Sequence, residues 1–452
     1  MTMTIPEWTR LENSAIIYPS CQTRKYAAMY RLSVTLSSDV DKDKLDEALK
    51  TVIHRFPSFR FTVRKGLFWW FLRRLENEPA ITRTSGLESF NMKKNAGYMF
   101  KLSCTGPRVD LDVFHALTDG TGGMTFLLSV VAEYVRLTTG TRITYGKWVY
   151  NPFEEPDECE IEDGFDQFSG TKGALDNEEK AYHVKGRTEK SDVLNSLGVS
   201  IQENQLTDKA RELGCTVTEL VSALMLVSLQ ELREADPSRR KRTNIRMEVP
   251  VNLRPIFGSR TLRNFSSYIY LGVDVSNGNL SFEDTLREVR SQKSLYLQRG
   301  RLLRRIAANV ALEDNLAIRC TPLFIKRPVI NLINHLKGDN YSTYTFSNLG
   351  RIDLPEEMRE YVRDIHFVLG RTRERFGSCA CASYGGRLNL DFSRKIAGDD
   401  FERTFIRNLR SLGIWATISV PSEPLRPEHG KDVPAKAVLS GKGLIPKFLL
   451  SI

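Results

Sequence analysis

The sequence predicts an α/β (α+β) protein made of two sheet-and-helix units of similar size. Three observations carry this reading. The chain has 452 residues, more than one ordinary hydrophobic core organises. Segments of strand alternation and of helical periodicity interleave through both halves. A stretch that is first acidic, then mixed in charge and poor in periodicity runs from Lys147 to about Lys190 and divides them.

In the first half, YAAMYRLSVTLS (Tyr26–Ser37) reads as a strand. DKDKLDEALKTVIHRFP follows as an amphipathic helix, with Leu45, Leu49, Val52 and Ile53 on one face and Pro57 ending it. FRFTVRKGLFWWFLRRL (Phe59–Leu75) predicts a hairpin turning at Lys65-Gly66. YMFKLSC (Tyr98–Cys104) and RVDLDVFHA (Arg108–Ala116) predict a second hairpin, and GMTFLLSVVAEYVRLTTG a closing helix. The second half restarts with LGVSI, a helix over Thr207–Leu213 and the apolar helix TVTELVSALMLVSLQELREA. Strands TNIRMEVPVNLRP and NFSSYIYLGVDVS follow, then a helical stretch from Ser281 to Leu336. YSTYTFSNLG, HFVLG, GSCACASY and RLNLDFSR close the chain as strands, before the helix DDFERTFIRNLRSLGIWA. The units expected are therefore 1–146, an acidic crossover at 147–190, and 191–420; residues 421–452 form a tail rich in Pro, Lys and Gly without assignable structure.

Composition narrows the function classes. With 41% hydrophobic and 27% charged residues the chain has an ordinary globular balance. No run of about eighteen apolar residues predicts a transmembrane segment. The opening MTMTIPEWTRLENSA lacks an apolar signal core, and the seven cysteines have no zinc-like spacing, which together predict a cytoplasmic chain with reduced thiols. Cys379 and Cys381 sit in a small-residue strand and are expected in the core rather than on a metal. The net charge of +10 suits a phosphate-bearing co-substrate or an acidic partner. The cluster SRRKRTNIR (Ser238–Arg246) reads as a solvated loop, since no nucleic-acid-binding module accompanies it.

The chemistry concentrates in FHALTDGTGG, Phe114–Gly123. Val109, Leu111, Val113 and His115 share one parity of a half-buried strand, with Asp110, Asp112 and Phe114 on the other. His115 thus extends an apolar row and points inward. Gly120, Gly122 and Gly123 allow unusual backbone angles or close approaches where the chain turns into a helix, whose N-terminal amides favour negative charge. An inward imidazole is a natural general base. Asp119 either orients that ring or pairs with a cation; on residue physics alone, a satisfied histidine at a strand end explains the pattern better than a general base does. His54, His335 and His366 read as structural or exposed, and Trp69 and Trp70 read as core packing before an acceptor pocket. No Gly-x-Ser-x-Gly elbow, Walker loop or metal-ligand motif competes.

HALTDG, His115–Gly120, resembles the His-x-x-x-Asp-Gly motif of the chloramphenicol-acetyltransferase-like superfamily, which includes alcohol acetyltransferases, peptide-synthetase condensation domains and plant BAHD enzymes. WTRLENSAIIYP, LDEALKTVIHRFPSFR, VPVNLRPIFGSRTLRNFSS, TFSNLGRIDLPEEM and SYGGRLNLDFS resemble further segments in the same order, from Trp8 to Ala416. The Asp-Phe-Gly-Trp-Gly motif of the plant enzymes is absent, so the alcohol acetyltransferases and condensation domains are the nearer match. The resemblance implies two chloramphenicol-acetyltransferase-like domains, each a mixed sheet flanked by helices, with a channel between them. It implies His115 as catalytic base, Asp119 as a structural partner of Arg254, Gly120 in the turn, and Ser347 or Asn348 at the channel as oxyanion candidates. It further implies acyl transfer from an acyl thioester, acyl-CoA being the expected co-substrate, to a small-molecule alcohol. A condensation-type reaction with an acyl carrier protein as donor is the alternative, and a non-catalytic binding protein on the same fold a third reading. No permanent cofactor and no metal are expected.

Overall fold

The computed structural model describes residues 5–22, 28–82, 92, 95–174, 178–188, 194–237, 242–333, 339–371 and 375–419. His335, residues 238–241 of the basic cluster and the tail at 421–452 lie outside them. In chain order the strands are β1 (Trp8–Arg10), β2 (Met29–Leu36), β3 (Phe61–Lys65), β4 (Trp70–Arg74), β5 (Phe100–Thr105), β6 (Arg108–Phe114) and β7 (Asn195–Gln202). Then come β8 (Asn244–Asn252), β9 (Ser266–Asp274), β10 (Tyr344–Arg351), β11 (Val362–Leu369), β12 (Gly377–Tyr384), β13 (Arg387–Arg394) and β14 (Ala416–Ser419). They form a four-stranded sheet, β11-β2-β6-β5, a seven-stranded sheet, β14-β7-β13-β12-β10-β8-β9, and a three-stranded sheet, β1-β4-β3.

Both expected hairpins form, β3–β4 and β5–β6. The first helix, Lys42–Val52, is capped by Asp41, whose carboxylate accepts from the amides of Asp43 and Lys44. It buries Leu45, Leu49 and Val52 against the helix Gly120–Thr139, which ends at Gly140 in the left-handed conformation. Phe56, Phe59, Phe100 and Phe126 interlock beneath them. In the second unit the helix Val217–Glu234 starts with a capping box between Thr216 and Glu219. It packs in a core that takes in Cys379 and Cys381 of β12, the place expected for both thiols. The helical stretch after Ser281 resolves into helices at Phe282–Tyr296, Arg299–Asp314, Leu316–Cys320 and Leu323–Ile333.

Three features depart from the expectations. First, β11 lies by sequence within 191–420 but pairs along its length with β2, Leu369 opposite Tyr30 and Ile365 opposite Val34. It carries the seam between the large sheets: the amide of Phe367 donates to Asp391 at 3.0 Å, and Asn389 donates to the carbonyl of Ile365 at 2.9 Å. His366 sits between the carboxylates of Asp391 and Asp364, at 3.0 and 3.2 Å. Burial opposes its charge, yet the two carboxylates outweigh burial and hold its pKa well above the ordinary imidazole value.

Second, β6 is not half-buried. Asp110 and Asp112 are as enclosed as the apolar row, because β6 is central in its sheet and covered on both faces. Arg31 of β2 grips Asp112 in a two-bond fork at 2.6 and 2.7 Å, and Ser33 donates to Asp110 at 2.6 Å. Third, the acidic crossover is packed. Phe165 and Phe168 join Phe265 and Ile306 in a small core, and Glu160 takes a buried bond from Arg55 at 2.9 Å.

Candidate active site

His115 follows β6 directly, and its amide donates to the carbonyl of Ala28 at 2.8 Å. That bond holds the end of the strand against the residue entering β2. The ring lies between two tyrosines: Tyr18 stacks on it, centroids 4.5 Å apart, and Tyr30 meets it edge-on at 5.2 Å. Asn264 closes the arrangement. Its amide nitrogen donates to the carbonyl of His115 at 2.8 Å, which turns its oxygen toward Nδ1 of the imidazole, 3.2 Å away. Nδ1 therefore carries the proton, and Nε2 keeps its lone pair. Burial lowers the pKa of His115 below the ordinary imidazole value, against smaller opposing contributions that include Asp119 and Asn264. A neutral imidazole with a free Nε2 is the form a general base needs.

Asp119 does not orient the ring. One carboxylate oxygen accepts from the amides of Thr121 and Gly122, both at 3.1 Å, as the N-cap of the helix Gly120–Thr139. The other meets Arg254 at 2.7 Å and accepts from the amide of Phe265 at 3.1 Å. Arg254 also donates to the carbonyls of Thr261 and Arg263, at 2.6 and 2.7 Å, and to Oδ1 of Asn252 at 3.2 Å. The ion pair thereby fixes the loop from Thr261 to Phe265, the loop that delivers Asn264 to His115. Of the two roles open to Asp119 from sequence, the structure selects the cation partner.

The glycines serve close approach, since none of Gly120, Gly122 and Gly123 adopts a positive φ. A Cβ on Gly122 would lie 2.1 Å from Oγ1 of Thr118 and 2.4 Å from the carbonyl oxygen of Leu262. One on Gly123 would lie 2.7 Å from the hydroxyl of Tyr30. That hydroxyl donates to the carbonyl of Asp119 at 2.8 Å, so tight packing at the glycines keeps turn and sheet together.

His115 opens onto a cavity of about 1380 Å³ walled by both halves of the chain. Ser347 and Asn348, in the middle of β10, share this wall with His115. Asn348 is committed, donating to Thr218 at 3.1 Å and accepting from the amide of Gly350 at 2.6 Å. Arg305, Arg319, Lys326, Arg371 and Arg375 also line it, Arg375 being paired with Glu248 at 2.9 Å. Both Trp69 and Trp70 line this wall: Trp69 is exposed and not in the core, whereas Trp70 packs against the first core as expected and donates to Ser20 at 3.1 Å. His54 is exposed, as expected.

Sequence reasoning passed over Asn264, Tyr18 and Tyr30 at the ring. The Asn-Phe pair at 264–265 lies in one of the family-like segments, which was the available signal for Asn264; nothing in the pattern marks the tyrosines.

The chain has the chloramphenicol-acetyltransferase-like fold, two sheet-and-helix units around a shared cavity. Among the solved structures it resembles are the TRI3 trichothecene 15-O-acetyltransferase of Fusarium sporotrichioides and condensation domains of peptide synthetases. It is similar to polyketide synthase associated protein 5 from Mycobacterium tuberculosis, with a TM-score of 0.58 at 15% identity over 88% of this chain and 96% of that one. It is similar to TRI101 of F. sporotrichioides, solved with coenzyme A and T-2, with a TM-score of 0.57 at 13% identity over 91% and 99%. The first condensation domain of the CDA synthetase gives 0.54 at 15% identity over 85% and 90%. No protein-family model matches the sequence, and no curated protein does.

Proposed function

We propose that the protein transfers an acyl group from an acyl thioester, acyl-CoA in the first instance, to the hydroxyl of a small-molecule alcohol. The observation that carries this reading is the state of His115: neutral, gripped at Nδ1 by Asn264, with Nε2 free at the wall of a large cavity. Nε2 takes the proton of the acceptor hydroxyl as its oxygen attacks the thioester carbonyl. The C–O bond forms, and the carbonyl π pair moves onto oxygen. When the intermediate collapses the C–S bond breaks, and the imidazolium returns its proton to the leaving thiolate. Ser347 is the candidate donor to the oxyanion, because Asn348 is engaged elsewhere. No covalent acyl-enzyme is needed, so the cysteines take no part.

The cations along the cavity favour coenzyme A as the donor, since its phosphates need charge within the walls. Solved relatives of this fold hold coenzyme A, and others are condensation domains, which is why a carrier-protein donor is the second reading. Seven cysteines with no disulfide between them are in keeping with a cytoplasmic setting.

The test is thiol release from acetyl-CoA and longer acyl-CoAs across a panel of alcohols. His115→Ala should lower turnover by roughly a hundred- to ten-thousandfold. Unchanged turnover in that variant removes His115 from the mechanism. Turnover only with an acylated carrier protein selects the second reading.

A further inference from the structure

The helix Leu323–Ile333 is amphipathic but turned outward. Its polar residues face the protein: Arg327 donates to the carbonyls of Ser20 and Gln22 at 3.1 and 2.9 Å, and Asn331 donates to Ser20 at 2.9 Å. Phe324, Ile325, Val329 and Leu332 face solvent, Phe324 with 63% of its surface exposed. The tip of the β3–β4 hairpin lies alongside, the amide of Leu323 donating to the carbonyl of Leu67 at 2.7 Å. It adds Leu67 at 65% and Trp69 at 49% exposure, and Trp8 of β1 adds a third segment at 62%.

These side chains surround an opening of the cavity. Trp8, Trp69, Ile318, Ile325 and Val329 are at once exposed and part of its wall, while Leu67, Phe324 and Leu332 lie outside it. A patch of large aliphatic and aromatic residues gathered around a mouth is not ordinary surface. Its charge is one-sided as well. The segment from Phe61 to Leu75 holds Arg64, Lys65, Arg73 and Arg74 with no carboxylate, and that from Asn315 to Ile333 holds Arg319 and Lys326, beside the inward Arg327, with none. Glu7, 3.8 Å from Arg73, and Glu76, 3.1 Å from Arg74, are acids beside the hairpin.

We infer that this face docks on an anionic lipid surface, and that the acceptor enters from the lipid as a long-chain or otherwise apolar alcohol. Tryptophans and aliphatic side chains seat at the headgroup level, the cations meet lipid phosphates, and the apolar solute passes into the cavity without crossing water. No single helix among the described residues is long and apolar enough to span a membrane, so the association is peripheral. A carrier protein is the poorer occupant: it offers an acidic, polar surface and a hydrophilic pantetheine arm, which leaves this apolar rim unmatched.

The claim about the acceptor rests on the acyl-transfer reading; the claim about docking does not, and the experiment separates them. Full-length protein without any acyl donor is sedimented with vesicles of phosphatidylcholine plus phosphatidylglycerol, and with vesicles of phosphatidylcholine alone. Binding is expected to the first, weaker to the second. It should fall at least about tenfold in F324E/L332E and, independently, in L67E. All three residues lie outside the cavity, so thiol release with a water-soluble short-chain alcohol should be unchanged, which also reports that the variants fold. With a long-chain alcohol presented in vesicles, the same variants should lose about tenfold in rate. Equal sedimentation of wild type and variants, or none with either vesicle, overturns the docking. So does a dimer, or a complex with an acidic carrier protein, that is abolished by F324E/L332E. Vesicle binding without turnover of any alcohol leaves the docking standing and removes the acyl-transfer reading.

Discussion

Asn264 holds His115 at two points, its oxygen accepting a hydrogen bond from Nδ1 of the ring and its amide nitrogen donating to the residue's own carbonyl. The clamp sits at one end of a relay that starts at Asp119. Asp119 binds Arg254 and the amide of Phe265, Arg254 binds the carbonyls of Thr261 and Arg263, and the loop so fixed carries Asn264. The aspartate of the turn thus acts on the histidine at a distance, by placing its partner.

Asn264→Ala should leave the fold intact and free the imidazole to rotate, lowering kcat by about a hundredfold. Asn264→Asp sets a carboxylate at Nδ1, which favours the imidazolium and raises the pKa of His115. With His115 as the proposed base, active when neutral, activity falls on the acid side, and the limb of the pH–rate profile should move to higher pH in Asn264→Asp. A limb that does not move places the ionisation elsewhere.

Asp119→Asn strips the carboxylate from an almost enclosed guanidinium. A loss of about 3–5 kcal/mol in unfolding free energy is expected, read from urea denaturation. In Asp119→Asn/Arg254→Met the uncompensated charge is gone, so the double variant should lose less than the two single losses added.

Gly122→Ala drives a methyl group into the hydroxyl of Thr118 and the backbone of Leu262. The cost should reach the upper part of about 1–3 kcal/mol. Gly120→Ala meets the end of the Leu349 side chain, 2.9 Å away, which moves aside at less cost. Thermal unfolding of the two variants should rank them in that order.

His366 gives the seam between the sheets a pH dependence of definite sign. Its pKa is raised in the folded protein, so its contribution is complete below the free-imidazole value of about 6.5 and is lost as pH rises through the folded value. Each unit of elevation is worth about 1.4 kcal/mol. Unfolding free energy should therefore decline over that alkaline window in the wild type and decline less in His366→Gln, measured by urea denaturation across pH.

How much of this was legible in the sequence depended on how local the cause was. The inward His115, the turn at Gly120 and the helix after it follow from strand parity and a run of glycines within ten residues. Arg254, 135 residues from Asp119, was reachable only through resemblance to a family. Asn264, 149 residues from His115, and Tyr18 on the ring had no periodic signature, because the clamp comes from a loop and the stack from the short helix Ile17–Cys21, and their meeting is decided by the whole fold. Asp110 and Asp112 misled for a different reason. Alternating polarity marks a strand with one wet face, but the same letters serve a dry strand whose carboxylates are met by an arginine on its neighbour. Hydrophobic alternation told that β11 is a strand, and could not tell which sheet would claim it.

That loan of β11 has a mechanical consequence. A strand whose preceding and following neighbours in sequence, β10 and β12, stand in the large sheet is itself hydrogen-bonded to β2 in the small one. The halves are laced together, and swinging them apart would break the bonds from β11 to the large sheet, Phe367 to Asp391 and Asn389 to Ile365. Traffic must go in and out through fixed doorways, and the polypeptide should melt in one step instead of two. A fragment cut near residue 190 would lack an outer rail of its own sheet and expose the flank of β2, so the first half has no independent life.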